Sequence, residues 1–382
     1  MDQLTSKEQA ALRAKSIAII GAGPIGCYTA HLLAKAGHNV EVFEEHQQIG
    51  NPIQCTGLLT ADFDKFFPDL KDQKHNFLVS TFKSVTVKTK NKSIKIPQKE
   101  YLVCRTKFDQ FFGKLATKSG AKIHLNHSFR RKEGNSLIIK DSINKEEKFF
   151  TPDIVIAADG PLSKTAKAFN IFHKLRTNYY GIQAVVEGKF NEDNLDVFFG
   201  EQFCKDFFVW VVPESQTTAR VGLCSKKNSK AIFDQFMKKH KEWTIKEMQA
   251  GVIPIFHNDQ ILQSKNCFVV GDAAGQVKAT TLGGLIPGLR AAEKLATAIN
   301  NHNYRSYQSK SLKIRIELQL HKQIRKVMDN FSDQDWDSLL TLTNQQKVKD
   351  IMSQYSRDNP IPLITKLLIK EPRYLKFLKH LF

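Results

Sequence analysis

The segment "SIAIIGAGPIGCYTAHLLAKAGHNVEVFEEH" constrains the fold more than any other part of the chain. The short apolar run Ile17 to Ile20 shows no alternation, which reads as a strand buried on both faces, and it leads straight into Gly21, Gly23 and Gly26. A helical pattern follows, with Ile25, Ala30, Leu33 and Ala34 at its apolar positions, and then a second strand, Val40 to Phe43, ending in Glu44. Each glycine meets a separate demand. Gly21 allows the tight turn, Gly23 lets backbone approach a pyrophosphate, and Gly26 lets helix and strand pack closely while the helix N-terminus faces the phosphates. Glu44 stands where a carboxylate accepts hydrogen bonds from both hydroxyls of an adenosine ribose, and its charge disfavours a phosphorylated ribose. Strand, glycines, helix, strand and acid in register predict a dinucleotide-binding β-α-β unit.

The rest of the composition narrows the class. A chain of 382 residues, 41% hydrophobic, can bury more than one core and is expected to be globular. Its 57 Lys and Arg exceed its 38 Asp and Glu, giving a formal charge of +19 that favours an acidic partner: anionic lipid, phosphorylated substrate or acidic protein. Nothing like an aromatic RNA-binding signature accompanies that charge, so no nucleic acid is expected. The cysteines Cys27, Cys55, Cys104, Cys204, Cys224 and Cys267 show no C-x-x-C spacing, so no metal site is read and a reducing cytoplasm is expected. "MDQLTSKEQAALRAK" lacks a signal-type apolar core, and no apolar run is long enough to span a bilayer; membrane association would be peripheral.

Two further stretches share the pattern of a buried strand followed by a polar turn. "TPDIVIAADGPLSKTAK" ends in Asp159-Gly160, with Ser163 nearby, and "NCFVVGDAAGQVKATTLGGLIPGLRAAEKLATAI" passes through Gly271-Asp272 and a small-residue loop to a helix opening near Gly283-Gly284. With the first unit they resemble the three separated FAD fingerprints of the flavoprotein hydroxylase and reductase superfamily. The resemblance implies that Asp159 belongs to the cofactor site and that Asp272 holds the ribityl chain. It also implies that the helix from about Gly284 and Leu285 aims its positive end at the flavin pyrimidine edge, where negative charge appears on reduction. Arg105, heading an amphipathic helix with Asp109, would lie near the cofactor, and Phe129 would pass its backbone by the adenine. No second G-x-G-x-x-G is present, so NAD(P)H would dock transiently or an acidic ferredoxin-like carrier would deliver electrons.

The inserts between the fingerprints are strand-rich. "FKSVTVKTKNKSIKIP" alternates around an Asn-Lys-Ser turn and predicts a hairpin, and the stretch from Tyr179 to Ser225 supplies further strands. The expected architecture is α/β: a discontinuous Rossmann-like FAD-binding domain over 1–75, 105–170 and 260–300, an inserted antiparallel β-sheet substrate domain over 76–104 and 171–259, and a helical C-terminal region over 301–382.

"PIQCTG" (Pro52 to Gly57) resembles the P-x-x-C-x-G turn of the geranylgeranyl reductase family, whose members saturate isoprenoid double bonds. "FVWVVPESQTTARVGL" is similar to that family's Y-x-W-x-F-P…G-x-G segment, with Phe208 at the tyrosine, Trp210 at the tryptophan and Cys224 at the second glycine. The resemblance implies that Cys55, Thr56 and Leu58 contact the flavin, that Trp210 and Phe208 line a prenyl pocket, and that the substrate is a geranylgeranyl lipid or diphosphate. An isolated alkene has no carbonyl to accept charge, so its reduction requires a proton donor and a water-poor pocket. Cys55 is one candidate donor; a flavin-contacting thiol and a structural turn thiol are the other readings. The basic, leucine-rich tail "LITKLLIKEPRYLKFLKHLF", with Pro372 able to start a second helix, suits either an anionic membrane surface or packing on the protein itself. Two alternatives stand beside the reductase: an FAD monooxygenase or halogenase of the same superfamily, and a non-catalytic basic protein that keeps the flavin fold.

Overall fold

The computed structural model describes residues 14–381; the N-terminal stretch read for a signal core lies largely outside them, as does Phe382. The opening segment forms β1 (Ser16–Ile20), α1 (Pro24–Lys35) and β2 (Asn39–Phe43). Both strands join a six-stranded sheet with β6 (Lys122–His124), β10 (Ile154–Ala157), β16 (Gln263–Ser264) and β17 (Cys267–Val269), in the order β16-β17-β10-β1-β2-β6. All its ladders are parallel except β16–β17, and Ile19 pairs with Val42 on one side and Ile156 on the other. The chain leaves β1 for β2 on one side and later returns to β10 on the other. This reversal opens a crevice at the carboxyl ends of the strands, where doubly wound sheets bind nucleotides. α1 packs against α2 (Arg105–Lys118) and against the helix Leu285–Asn300. Ile17, Ile19, Val40, Val42, Ile156 and Val269 are essentially sealed from water between these layers.

The inserts build most of an eight-stranded sheet, β4 (Leu78–Lys88), β5 (Ser93–Val103), β11 (Asn178–Glu187), β12 (Asn194–Gly200), β13 (Cys204–Pro213), β14 (Thr218–Ser225) and β15 (Thr244–Pro254), and β3 (Leu58–Thr60), which lies within the 1–75 stretch expected in the nucleotide domain, pairs with β5 at its edge instead. Their order is β15-β11-β14-β13-β12-β4-β5-β3. The expected hairpin is β4–β5, turning through Thr89 to Lys92. The sheet is antiparallel as expected with one exception, the β12–β4 ladder, which is parallel. No hairpin joins these two strands, so turn chemistry does not set their direction; they are where inserts from distant parts of the chain meet. A three-stranded meander, β7 (His127–Glu133), β8 (Ser136–Asp141) and β9 (Glu146–Phe150), flanks the six-stranded sheet.

Among the longer helices, α3 (Ser229–Met237) packs on β11 and β14, and α4 (Leu285–Asn300) leads into the C-terminal set. That set comprises α5 (Leu312–Asp329), α6 (Asp333–Thr343), α7 (Gln346–Gln354), α8 (Pro360–Lys370) and a 3-10 stretch, Pro372–Leu381. α6 starts with a reciprocal capping box: Ser332 Oγ accepts from Asp335 N–H at 3.2 Å, and the Asp335 carboxylate accepts from Ser332 N–H at 3.1 Å. α5 and α7 lie against β13 and β5. The eight-stranded sheet is therefore closed on one face by C-terminal helices.

Candidate active site

A cavity of about 640 Å³ runs from the carboxyl ends of the parallel strands into the space between the eight-stranded sheet and the C-terminal helices. At its nucleotide end the three glycines divide their work as their spacing suggests. Gly21 has φ +103°, and a Cβ there would stand 2.4 Å from the Ala158 carbonyl oxygen; one on Gly26 would stand 2.1 Å from the carbonyl oxygen of Gly21. Both positions are closed to a side chain. Gly23 is the opposite case, since its added Cβ would meet nothing within 4 Å, and it lines the cavity together with Ile25 and Gly26. Pro24 has no N–H and the first intrahelical donor is Cys27 N–H, bonded to the Gly23 carbonyl at 2.9 Å. The N–H groups of Ile25 and Gly26 are therefore the ones this helix end offers to an anion. Glu44 is held in place by Ala22 N–H at 2.7 Å on one oxygen and by His46 N–H at 3.1 Å and Nδ1 at 2.6 Å on the other. A carboxylate has about four acceptor positions, so this clamp of three donors orients Glu44 and leaves about one position for a ribose hydroxyl.

Further along, Asp272 and the α4 N-terminus face the cavity. A Cβ on Gly284 would lie 2.8 Å from Asp272 Oδ1, so only glycine lets the helix start this close to the acid. Leu285 and Ile286 present free first-turn N–H groups there, Pro287 has none, and Gly288 N–H is the first to bond within the helix, to the Gly284 carbonyl. Burial pushes the Asp272 carboxyl above the usual range, against the pull of Arg105 and Arg176. Arg105 forks onto Asp109, Nε to Oδ1 at 3.1 Å and Nη2 to Oδ2 at 2.9 Å. Burial works against its charge, but Asp109 and the adjoining Cys55 thiol outweigh it and hold the guanidinium charged.

The turn carrying Cys55 is anchored from three sides. Gly57 has φ +81°, and a Cβ there would stand 2.5 Å from the Val103 carbonyl oxygen on β5. Thr56 Oγ1 donates to Gln183 Oε1 on β11 at 2.7 Å, and the Thr56 carbonyl accepts from Arg220 on β14. Gly57 N–H donates to Cys55 Sγ at 3.3 Å, which fixes the thiol at the cavity wall beside Leu58. Beyond it the cavity turns apolar, lined by Val85, Ile96, Leu195, Phe199, Phe208 and Trp210 among others. Trp210 Nε1 donates to Gln183 Oε1 at 3.3 Å, and Phe208 lies between Phe207 and Phe199 with ring centroids 4.3 and 5.0 Å away.

Three of the expected residues stand apart from the lining. Gly21 shapes the turn from behind. Phe129 is buried in the core beside the six-stranded sheet. Asp159 is spent on capping: Ser163 Oγ donates to Oδ1 and Thr165 N–H to Oδ2 at 2.9 Å, so its neighbours Ala158 and Gly160 face the cavity in its place.

Sequence reasoning missed a buried ionic cluster on the chamber wall. Lys278 Nζ donates to Asp358 Oδ1, Thr60 Oγ1 donates to Asp358 Oδ2 at 2.7 Å, and Arg357 forks onto both oxygens of Glu100. Glu100 is 0% exposed. The only sequence signals are short charged positions beside apolar or small residues: Lys278 in "GQVKATTLGG", Glu100 after Lys99 in "QKEYLV" and the adjacent Arg357-Asp358 before "NPIP".

The profile of an NAD(P)-binding Rossmann-like domain matches residues 19–57, the segment holding the glycines, Glu44 and Cys55. Along nearly its whole length the chain is 25% identical to a digeranylgeranylglycerophospholipid reductase of Methanocaldococcus jannaschii, covering 96% of this chain and 97% of that one. The chain is similar to that reductase from end to end. The likeness read from the P-x-x-C-x-G turn thus extends from the first strand to the helical end. A geranylgeranyl bacteriochlorophyll reductase-like protein of Thermoplasma acidophilum shares the fold, with a TM-score of 0.82 at 21% identity over 97% of this chain and 99% of that one. A flavin-dependent halogenase shares it at a TM-score of 0.69 and 14% identity, over 95% of this chain and 78% of that one. The architecture is the hydroxylase-type flavoprotein fold.

Proposed function

We propose that this chain is an FAD-dependent reductase that saturates isoprenoid C=C bonds in geranylgeranyl chains, carried by ether-lipid precursors or by the diphosphate. The observation that carries the reading is the continuity of one cavity. Its polar end offers two helix N-termini, Glu44 and Asp272, and its other end is a chamber with an aliphatic and aromatic wall. The residues present fit FAD. The N–H groups of Ile25 and Gly26 would hold the pyrophosphate, Glu44 the adenosine ribose and Asp272 the ribityl hydroxyls. The positive end of α4 would lie against the pyrimidine edge. Bound and reduced, FAD supplies a hydride and both electrons of the reduction.

The chain's own residues do the rest. Phe208, Trp210 and the aliphatic wall exclude water and align the alkene, while the anchored turn keeps Cys55 at the junction between cofactor and chamber. The basic surplus suits an acidic electron carrier, and NAD(P)H docking on the open side of the cavity is the other source of electrons. Access to lipid would come at an anionic membrane surface. α8 and the 3-10 stretch after it expose Ile361, Ile369, Leu375 and Leu378 among Lys366, Lys370, Lys376 and Lys379. Among the described residues no helix is long and apolar enough to cross a membrane.

The test is mass spectrometry of a digeranylgeranyl phospholipid incubated with the FAD-loaded protein and either NADPH or reduced ferredoxin. The reading expects lipid masses rising in steps of two hydrogens with one of the donors. Flavin oxidation with unchanged lipid under both donors would refute it.

A further inference from the structure

The Lys278–Asp358 pair separates two spaces. Lys278 and Asp358 line the large chamber, and they also line a second cavity of about 10 Å³ behind it, bounded by His321, Glu317 and Arg290 and, on its apolar side, by Pro287, Ile314, Leu318 and Pro360. No other residue is shared between these two linings. A space of this size accommodates one water molecule. Glu317 Oε2 accepts from Arg290 Nη1 at 2.7 Å, while its buried Oε1 has no partner among the described residues, so a water there finds an acceptor. An ammonium has three N–H donors, and Lys278 has one protein side-chain acceptor among the described residues, Asp358, which leaves donors for the chamber and for the water behind. The amine lies beside the loop that leads into α4, with Nζ 3.3 Å from where a Cβ on Gly283 would stand. This is the edge at which the flavin ring would lie.

The geometry points to Lys278 as the proton donor to the substrate alkene, recharged through the small cavity at its back. This rests on the reductase reading above. In the step, one alkene carbon would take a hydride, with both electrons, from the bound reduced cofactor that the residues above would hold. The π pair of the alkene forms the second C–H bond with a proton from Lys278 Nζ. The alkene would be reduced by two electrons at the expense of the cofactor, and Lys278 would be left as a neutral amine. Asp358, held by Thr60, keeps the amine aimed, and a proton from solvent restores the ammonium by way of the water site; His321 bounds that site but has its two ring nitrogens on Thr280 Oγ1 at 2.7 Å and the Arg357 carbonyl at 3.0 Å. The pair suits the task because its charges cancel locally: Lys278 and Asp358 stand beside Arg357 and Glu100, so the water-poor chamber is not charged by its own donor. Burial lowers the pKa of Lys278 despite Asp358, which makes it a stronger acid than a free ammonium.

The experiment uses the FAD-loaded full chain, reduced with dithionite without oxygen and mixed with a digeranylgeranyl phospholipid, following return of the oxidised flavin spectrum. Lys278→Arg keeps the cation and its partner but holds its protons too tightly to give one up. It is expected to bind and reduce flavin like the wild type and to reoxidise it at least about 100-fold more slowly, the range of a lost general acid. Lys278→Ala should show the same loss, partly restored by methylammonium in proportion to its concentration. If the wild type reoxidises while Lys278→Arg does so within about threefold, or if Lys278→Ala is insensitive to added amine, Lys278 is not the donor. A wild type that the lipid does not reoxidise refutes the reductase reading itself, a distinct outcome.

Discussion

Removing Arg357 tests whether the ionic cluster fastens the C-terminal helices to the eight-stranded sheet. Arg357 sits in the loop between α7 and α8 and forks onto Glu100, a β5 carboxylate with no exposed surface. In Arg357→Met that carboxylate remains buried with its chief partner gone, and breaking a buried pair in this way costs about 3–5 kcal/mol. Burial already raises the Glu100 pKa even with Arg357 present, so protonation in the variant sets the upper limit of the loss. The partner change, Glu100→Gln, removes the acid but leaves Arg357 near Asp358 and Asp62, which also favour its charge. The double variant Glu100→Gln, Arg357→Met should then lose less than the sum of the singles by about 1–3 kcal/mol, the range for residues in one network. Urea unfolding at neutral pH gives all four free energies. Additivity within about 0.5 kcal/mol would show that the two side chains do not support one another, and the clasp would be refuted.

Two further outcomes follow from single positions. Gly23→Val places a side chain in open cavity space without a backbone penalty, since its φ is −63°; flavin affinity should fall at least about tenfold, one decade per 1.4 kcal/mol, while far-ultraviolet circular dichroism stays unchanged. Burial, with Lys278 next in size, lowers the His321 pKa from 6.5 to about 4. Its stabilising contribution is therefore complete above the unfolded value and is lost as pH falls from 6.5 towards 4, about 3 kcal/mol in all. Urea midpoints should drop over that window in the wild type and drop less in His321→Gln; parallel curves would contradict the assignment.

The parallel core was legible because its strands are uninterrupted apolar runs and its turns need glycine: Gly21 and Gly26 have no room for a Cβ, and that constraint shows directly as a motif. The Cys55 turn was legible for the same reason, through Gly57. The parallel β12–β4 ladder was not, because register between inserts far apart in sequence is set by tertiary packing rather than by a turn. Asp159 shows the limit of reading an acid from a fingerprint: a carboxylate followed four residues later by Ser163 at a helix start caps that helix as readily as it meets a ligand. The Lys278, Asp358, Glu100 and Arg357 cluster left almost no trace. Apart from the adjacent Arg357 and Asp358 its members are far apart in sequence, and a charge in such a stretch looks the same whether it faces water or a partner from the other end of the chain.

The central claim is that one cavity holds a flavin at its polar end and a prenyl chain at its apolar end, close enough for electrons to pass. Anaerobic titration of the reduced, flavin-loaded protein with an unsaturated prenyl lipid measures this directly. Return of oxidised flavin absorbance in step with the lipid added, with the saturated lipid chain giving no return, is the predicted result. A protein that takes up no FAD, or a flavin that stays reduced until air is admitted, would contradict it.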